Sequence, residues 1–300
     1  MNGPDMNLTC AARIGAKYLE KEGVSSPSND AEELLSHVLS IQRLRIYTEY
    51  TRELEREEVK RYANALKRRA RGEPLQYITG SVEFRGISLV VEPGVFIPRP
   101  ETEITVEYAC EVIPDRQVRI LDIGTGCGNI ALSIAAERPS ARIYAIDISE
   151  KAISLCMKNA ETFGVSSRIE VLHGDLYQAL NGTNFDFDCI VSNPPYVRDD
   201  EWEDLEREVR QFEPAIALKG GKDGLDLIRK IIIGAPRFLK QGGWLVLEIA
   251  PGQAEYLLDY IKNLKSCESA NLSVAWSDIR CFNDLCGRPR VLRARLSGKF

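Results

Sequence analysis

Ile190-Val191-Ser192-Asn193-Pro194-Pro195-Tyr196 ends an apolar run on a side-chain amide, two prolines and a phenol. That grouping suits methyl transfer to a planar amide or amine nitrogen. Such a nitrogen is a poor nucleophile because its lone pair is delocalised. A catalyst must hold its two hydrogens and aim the lone pair at a methyl donor. The Asn193 side-chain oxygen and the Pro194 backbone carbonyl are the natural pair of acceptors, since prolines stiffen a turn and present carbonyls without competing N–H donors. Tyr196 is placed to stack on a planar acceptor group, and orientation of this kind lowers a barrier by up to about 7–11 kcal/mol. Asn193, Pro194 and Tyr196 are therefore the catalytic candidates, and with Pro195 they form the acceptor pocket. Taken alone, the motif also suits a rigid strand-ending turn with a packed aromatic.

A second motif lies upstream. Leu121-Asp122-Ile123-Gly124-Thr125-Gly126-Cys127-Gly128-Asn129 follows an apolar strand and opens a helix over Ile130–Glu137. Glycines let the backbone turn tightly and approach a ligand closely. A nicotinamide-binding fingerprint would put its third glycine or alanine at position 129, where this chain has Asn. The spacing favours S-adenosylmethionine, whose carboxypropyl tail needs no pyrophosphate cradle, with S-adenosylhomocysteine as product. Asp147 ends the next strand, where a carboxylate accepts both ribose hydroxyls. Asp175, in His173-Gly174-Asp175-Leu176, ends the third, beside the expected adenine position. The cofactor set is thus Gly124, Thr125, Gly126, Cys127, Gly128, Asp147 and Asp175, with Asn193 facing both cofactor and acceptor.

Other chemistries lack material. His37 and His173 are the two histidines, too few for histidine-based acid–base or nucleophilic catalysis. The 8 cysteines are scattered, without a Cys-x-x-Cys pair or nearby histidines, so no metal site and no disulfide is expected. A net charge of −5 argues against a dedicated nucleic-acid binder. No secretory start and no apolar run of membrane-spanning length is seen, so a cytoplasmic protein is expected.

These motifs need a scaffold. With 44% hydrophobic residues in 300, a buried core and one or two domains are expected. From about residue 5 to 71, Ile14, Tyr18 and Leu19, then Leu34, Leu35, Val38 and Leu39, then Val59, Tyr62, Ala63 and Leu66 recur at helical spacing. Ser28 and Asn29 are candidate caps for the second run, and the basic run Arg61, Lys67, Arg68, Arg69 and Arg71 reads as a solvated helix face. Glycines and prolines then punctuate short β-type runs such as Ile87–Val91, which suggests a hairpin linker. Beyond it, strands at Val118–Ile123, Arg142–Ile146, Ile169–Leu172, Phe187–Ser192 and Trp244–Ile249 alternate with helices beginning near Glu101, Asn129, Lys151 and Leu225. This implies a doubly wound parallel α/β sheet, closed antiparallel by Ser273–Arg280 and Pro289–Leu296. The expected division is a helical domain over 1–72, a β-hairpin linker over 73–98 and a methyltransferase domain over 99–300.

The chain resembles the HemK/PrmC family, the glutamine N5-methyltransferases of peptide chain release factors. Beyond the two motifs, the resemblance is carried by Gly72-Glu73-Pro74-Leu75-Gln76-Tyr77-Ile78-Thr79-Gly80, Phe96-Ile97-Pro98-Arg99-Pro100-Glu101-Thr102-Glu103, Phe212-Glu213-Pro214-Ala215-Ile216-Ala217-Leu218 and Asp284-Leu285-Cys286-Gly287-Arg288-Pro289-Arg290. It covers nearly the whole length. It implies a Rossmann-like class I S-adenosylmethionine methyltransferase sheet preceded by a small helical substrate-recognition domain that helps grip the substrate. It also implies that the glutamine of the Gly-Gly-Gln motif of class I release factors enters at Asn193–Tyr196, and that adenine lies near Asp175 and Leu176. Leu176 stands where some relatives carry an aromatic, and Cys127 replaces a commoner threonine. Arg99 and Glu101 shape the mouth of the site or neutralise charge there, or else form a purely structural salt bridge. A monomer is expected.

Three alternatives differ in the acceptor or in the absence of one. The same pocket suits the exocyclic amine of a flipped adenine, as in an N6-adenine methyltransferase acting on DNA or RNA; the acidic balance and lack of a target-recognition insert weigh against it. A ribosomal-protein glutamine fits the pocket equally. A non-catalytic module docking on the translation machinery would not need both motifs intact.

Overall fold

The computed structural model describes residues 6–49, 51–264, 266–267 and 272–299. The chain divides into two compact units, Met1–Ser81 with Glu206–Phe212, and Val82–Leu205 with Glu213–Phe300.

The first unit is helical. Its helices cover Leu8–Lys21, Pro27–Leu39, Arg45–Thr48, Arg56–Ala70 and Leu75–Thr79, and the later segment adds Arg207–Phe212. Asn7 caps the first helix, its side chain accepting from the Cys10 amide at 2.9 Å. Ser28 and Asn29 do not cap the second. Pro27, with its fixed φ and missing N–H, takes the first helical position, so both fall inside the first turn, and Asn29 instead accepts from Arg43.

The buried face of Leu8–Lys21 also differs from expectation. Ile14 is 48% and Tyr18 36% exposed, while Leu8, Ala11, Ala12, Gly15 and Leu19 face inward. A Cβ on Gly15 would collide with the Tyr62 ring, whose hydroxyl donates to the Ala31 carbonyl at 3.0 Å. Between Leu8 and Leu19 small residues therefore define the close contact, and Ile14 and Tyr18 lie outside it. Arg69 likewise leaves the solvated basic face: it is 6% exposed and pairs with Asp30 at 2.6 Å and Glu208 at 2.5 Å.

From Val82 the second unit opens with a hairpin of β1 (Ser81–Phe84), whose first residue closes the first unit, and β2 (Ile87–Val90). Arg85 and Gly86 both have positive φ, 48° and 73°, as a tight two-residue connection requires. The main sheet comprises β3 (Val118–Ile123), β4 (Ala141–Asp147), β5 (Ile169–His173), β6 (Phe187–Ser192), β7 (Leu239–Glu248), β8 (Ser266–Cys267), β9 (Leu272–Asn283) and β10 (Pro289–Lys299). Their order is β5-β4-β3-β6-β7-β10-β9-β8. Strands β3 to β7 run parallel, and β10 inserts antiparallel between β7 and β9. The two expected β segments at the tail thus close the sheet antiparallel. The parallel strands are almost continuously apolar because helices cover both faces.

The strand order reverses beside β3, which opens a crevice past the carboxyl ends of the strands. Register then sets which residues meet there. Ile123 is level with Ser192 and Ser192 with Leu247, so the chain leaves β3, β6 and β7 together, at Gly124, Asn193 and Glu248. Ser192 Oγ donates to the Ile123 carbonyl at 2.6 Å and ties two of these ends together. Among the described residues, no helix is long and apolar enough to cross a membrane.

Candidate active site

A cleft of about 290 Å³ lies at these strand ends. Gly124, Thr125, Gly126, Asp147, Asp175, Leu176, Asn193, Pro194, Pro195 and Tyr196 all line it.

The loop after β3 is shaped by its hydrogen bonds. Gly124 and Thr125 both donate to the Ile146 carbonyl, at 2.8 and 3.0 Å, and Gly126 N donates to Asp147 Oδ2 at 2.9 Å. The Asp147 Oδ1 accepts from Ser149 N at 2.9 Å, so this carboxylate is anchored by backbone on both oxygens; burial raises its pKa against those bonds. Thr125 Oγ1 donates to Asp122 Oδ2 at 2.7 Å beneath the loop. Asp122 is fully buried, and desolvation pushes its pKa up to about 7.

The three loop glycines do different work. Gly128 has φ +91°, and a Cβ there would lie 2.5 Å from Leu132 Cδ1 and 2.9 Å from Cys156 Sγ. Its role is close packing of loop against helix. Gly124 and Gly126 also have positive φ, +73° and +57°, but a Cβ on either would meet nothing within 4 Å. Cys127 does not face the cleft. Its side chain is 1% exposed, its carbonyl accepts from Asn159 at 2.9 Å, and burial pushes the thiol up to about 12. On the far side, Leu176 holds φ +50°, a strained conformation for a leucine, and its side chain borders the cleft directly after Asp175.

The acceptor side is built around a carboxylate that sequence patterns did not single out. Glu248, at the end of β7, is 1% exposed. It accepts from Thr105 Oγ1 and Tyr196 Oη, both at 3.4 Å, and the neighbouring Thr102 hydroxyl also favours its ionised form. Desolvation pushes its pKa up to about 7, against these bonds and nearby Arg290. Thr102 Oγ1 in turn accepts from Asn193 Nδ2 at 3.1 Å. Among the described residues, Asn193 Oδ1 and the Pro194 carbonyl are bonded to no protein donor. Two acceptors are thus left beside the cleft. The Tyr196 hydroxyl is tethered to Glu248, while Gln253 Nε2 holds its carbonyl at 3.4 Å and that of Gly224 at 3.0 Å.

The chain after Tyr196 closes one wall. Val197 N donates to the Leu218 carbonyl at 2.9 Å, which brings Pro214, Ile216, Ala217 and Leu218 to the rim. Arg99 forms an ion pair with Glu213, whose other oxygen accepts from Ile97 N at 3.2 Å. This salt bridge joins Phe96–Glu103 to Glu213–Leu218. Glu101 is the residue preceding helix Thr102–Val112. Among the described residues, no group of three or more His, Cys, Asp or Glu could hold a metal ion; Cys267's side chain lies outside the described residues, and the other seven cysteines are free.

A reversed-order parallel sheet with an antiparallel strand inserted beyond β7, a glycine loop after its first strand and Asn-Pro-Pro-Tyr after its fourth defines a class I S-adenosylmethionine-dependent methyltransferase. Family models agree: the PrmC N-terminal domain matches residues 11–80 and the methyltransferase small domain residues 86–211. A Geobacter sulfurreducens protein named release factor glutamine methyltransferase is 41% identical, with 84% of this chain and 87% of that one covered. A Koribacter versatilis protein of the same name is 38% identical over 97% of this chain and 99% of its own. The human MTRF1L release factor glutamine methyltransferase is 36% identical over 93% and 84%. The chain belongs to the release factor glutamine methyltransferase family.

Proposed function

We propose that this enzyme methylates N5 of the glutamine in the Gly-Gly-Gln motif of class I peptide chain release factors. The observation that carries the reading is the pair of free acceptors, Asn193 Oδ1 and the Pro194 carbonyl, beside the glycine cradle. A primary amide has two N–H donors, and two acceptors satisfy both while fixing the plane of the group.

S-adenosylmethionine supplies an electrophilic methyl on a sulfonium. The residues present fit it. Open space above Gly124 and Gly126 admits a tail that a side chain would block, and Asp147, already held by two backbone donors, is set to accept ribose hydroxyls. Asp175 and Leu176 border the expected adenine end. The remaining work belongs to the acceptor side. Asn193 and Pro194 orient the amide, Tyr196 and Pro195 form its walls, and alignment supplies the rate. The nitrogen's electron pair would form the new N–C bond as the methyl C–S bond breaks and its electrons return to sulfur, leaving a neutral thioether, and the proton would leave to water afterwards from a nitrogen made acidic by its positive charge. No side-chain base is needed beforehand. The helical unit is assigned to gripping the release factor. The enzyme would work as a monomer in the cytosol.

The test supplies labelled S-adenosylmethionine with, separately, a release factor, its Gln-to-Ala variant, ribosomal proteins and DNA. Label on the intact release factor and loss with the variant is expected. Label on DNA or a ribosomal protein instead would replace this acceptor.

A further inference from the structure

The structure assigns Thr102 and Glu248 a positioning role: together they fix which end of the Asn193 side-chain amide faces the acceptor. This deepens the proposed function and rests on Asn193 Oδ1 holding an acceptor hydrogen.

The two ends of an asparagine amide are nearly the same size, and a half-turn about its last bond exchanges acceptor for donor. Turned the wrong way, Asn193 would present two N–H groups to a nitrogen that itself brings N–H groups. The partner beneath must therefore discriminate. A threonine hydroxyl cannot do so alone, since it both donates and accepts. Thr102 accepts from Asn193 and lies among the hydroxyls that lower the pKa of buried Glu248; an ionised carboxylate only accepts, so the Thr102 hydrogen turns toward it. Lone pairs alone remain for Asn193, which must offer Nδ2, at 3.1 Å.

The carboxylate is placed for this task. Glu248 is 1% exposed, and the groups around it are hydroxyls of Thr102, Thr105 and Tyr196, with Arg290 the nearby cation. Burying a carboxylate without a salt bridge is costly, and packing alone does not require one. On protonation Glu248 becomes a donor, the Thr102 hydroxyl is free to reverse, and the Asn193 amide is released to turn. Burial that lifts this acid toward neutrality makes that loss accessible at mildly acidic pH.

The experiment compares full-length wild type, Thr102→Val, Thr102→Ser and Glu248→Gln. Steady-state methylation of release factor is read beside calorimetric binding of S-adenosylmethionine and the NMR signals of the Asn193 side-chain NH2, assigned by their absence in Asn193→Ala. Thr102→Val should lower kcat on the order of 100-fold through misorientation, with cofactor affinity unchanged and the Asn193 signals shifted. Thr102→Ser should restore both. Glu248→Gln should flatten the acidic limb of the kcat–pH profile. Wild-type kcat in Thr102→Val, or a serine variant as impaired as valine, would overturn the role. If Thr102→Val does not fold, Glu248→Gln decides: Asn193 signals and kcat–pH profile unchanged from wild type would equally overturn it. Should wild type methylate a different acceptor, the proposed function fails while the same variant ratios and NMR shifts still judge the positioning role.

Discussion

Asn193 Nδ2 donates to Thr102 Oγ1 across 3.1 Å, joining residues 91 positions apart and leaving Asn193 Oδ1 beside the cleft. Replacing Asn193 with alanine removes an acceptor that matters most as charge develops on the attacking nitrogen. The expected loss is about 100- to 1000-fold in kcat, by analogy with deletion of one oriented hydrogen-bonding group in other active sites. Calorimetry should find the S-adenosylmethionine affinity nearly unchanged, because the Gly124–Gly126 cradle and Asp147 remain. Equal losses in both would place Asn193 in cofactor binding alone.

The loop glycines should separate by phenotype. Gly128→Ala puts a Cβ 2.5 Å from Leu132 and 2.9 Å from Cys156 at φ +91°. Strain and overpacking together predict a loss of roughly 2–4 kcal/mol in urea unfolding. Gly126→Ala meets open space, so its stability cost is only the left-handed penalty of about 1–2 kcal/mol. Its larger defect should be in cofactor affinity.

Asp147→Ala removes the acceptor of Gly126 N and Ser149 N along with the expected ribose contact. Cofactor affinity should fall by an order of magnitude or more, as for loss of a hydrogen-bonded charged partner worth about 1.5–3 kcal/mol. Equilibrium dialysis with labelled cofactor measures it, and unchanged binding would remove Asp147 from the site.

Stability should depend on pH through Glu248. Its folded pKa, near 7, lies above the ordinary value of 4.5. The folded state therefore holds the proton more tightly, and this contribution is complete below about 4.5 and lost as pH rises through 7. Asp122, also raised to about 7 by burial, acts in the same direction. Glu248→Gln should flatten the decline between pH 5 and 8 by up to about 3 kcal/mol, read as urea midpoints across that range. A parallel decline in both proteins would contradict the assignment.

In the helical unit, Arg69→Ala strands Asp30, which is 4% exposed, without its cation. Breaking such a buried pair costs about 3–5 kcal/mol. The same change frees Glu208, so limited proteolysis should cut within 206–212 faster than in wild type.

Local patterns in the sequence determined much of this protein. Strand runs, the glycine loop and Asn193–Tyr196 are contiguous, and their chemistry follows from backbone freedom and donor–acceptor inventory over a few residues. So the sheet, its antiparallel close and the two loops that line the cleft were legible, as was the family through its connecting segments. Periodicity could not tell which face of Leu8–Lys21 is buried, because small Ala and Gly residues, not the larger Ile14 and Tyr18, allow the helices to approach. Nor could spacing show that Cys127 turns inward or that Arg69 is paired. One signal was present but unread: Glu248 is a lone charge ending the apolar run Trp244–Glu248. Its meaning was decided only by tertiary structure. Parallel register sets the ends of β6 and β7 level, and the start of helix Thr102–Val112 meets them there. Hydrogen bonds act over about 3 Å in space whatever the separation along the chain, so the orientation of Asn193 is a property of the fold.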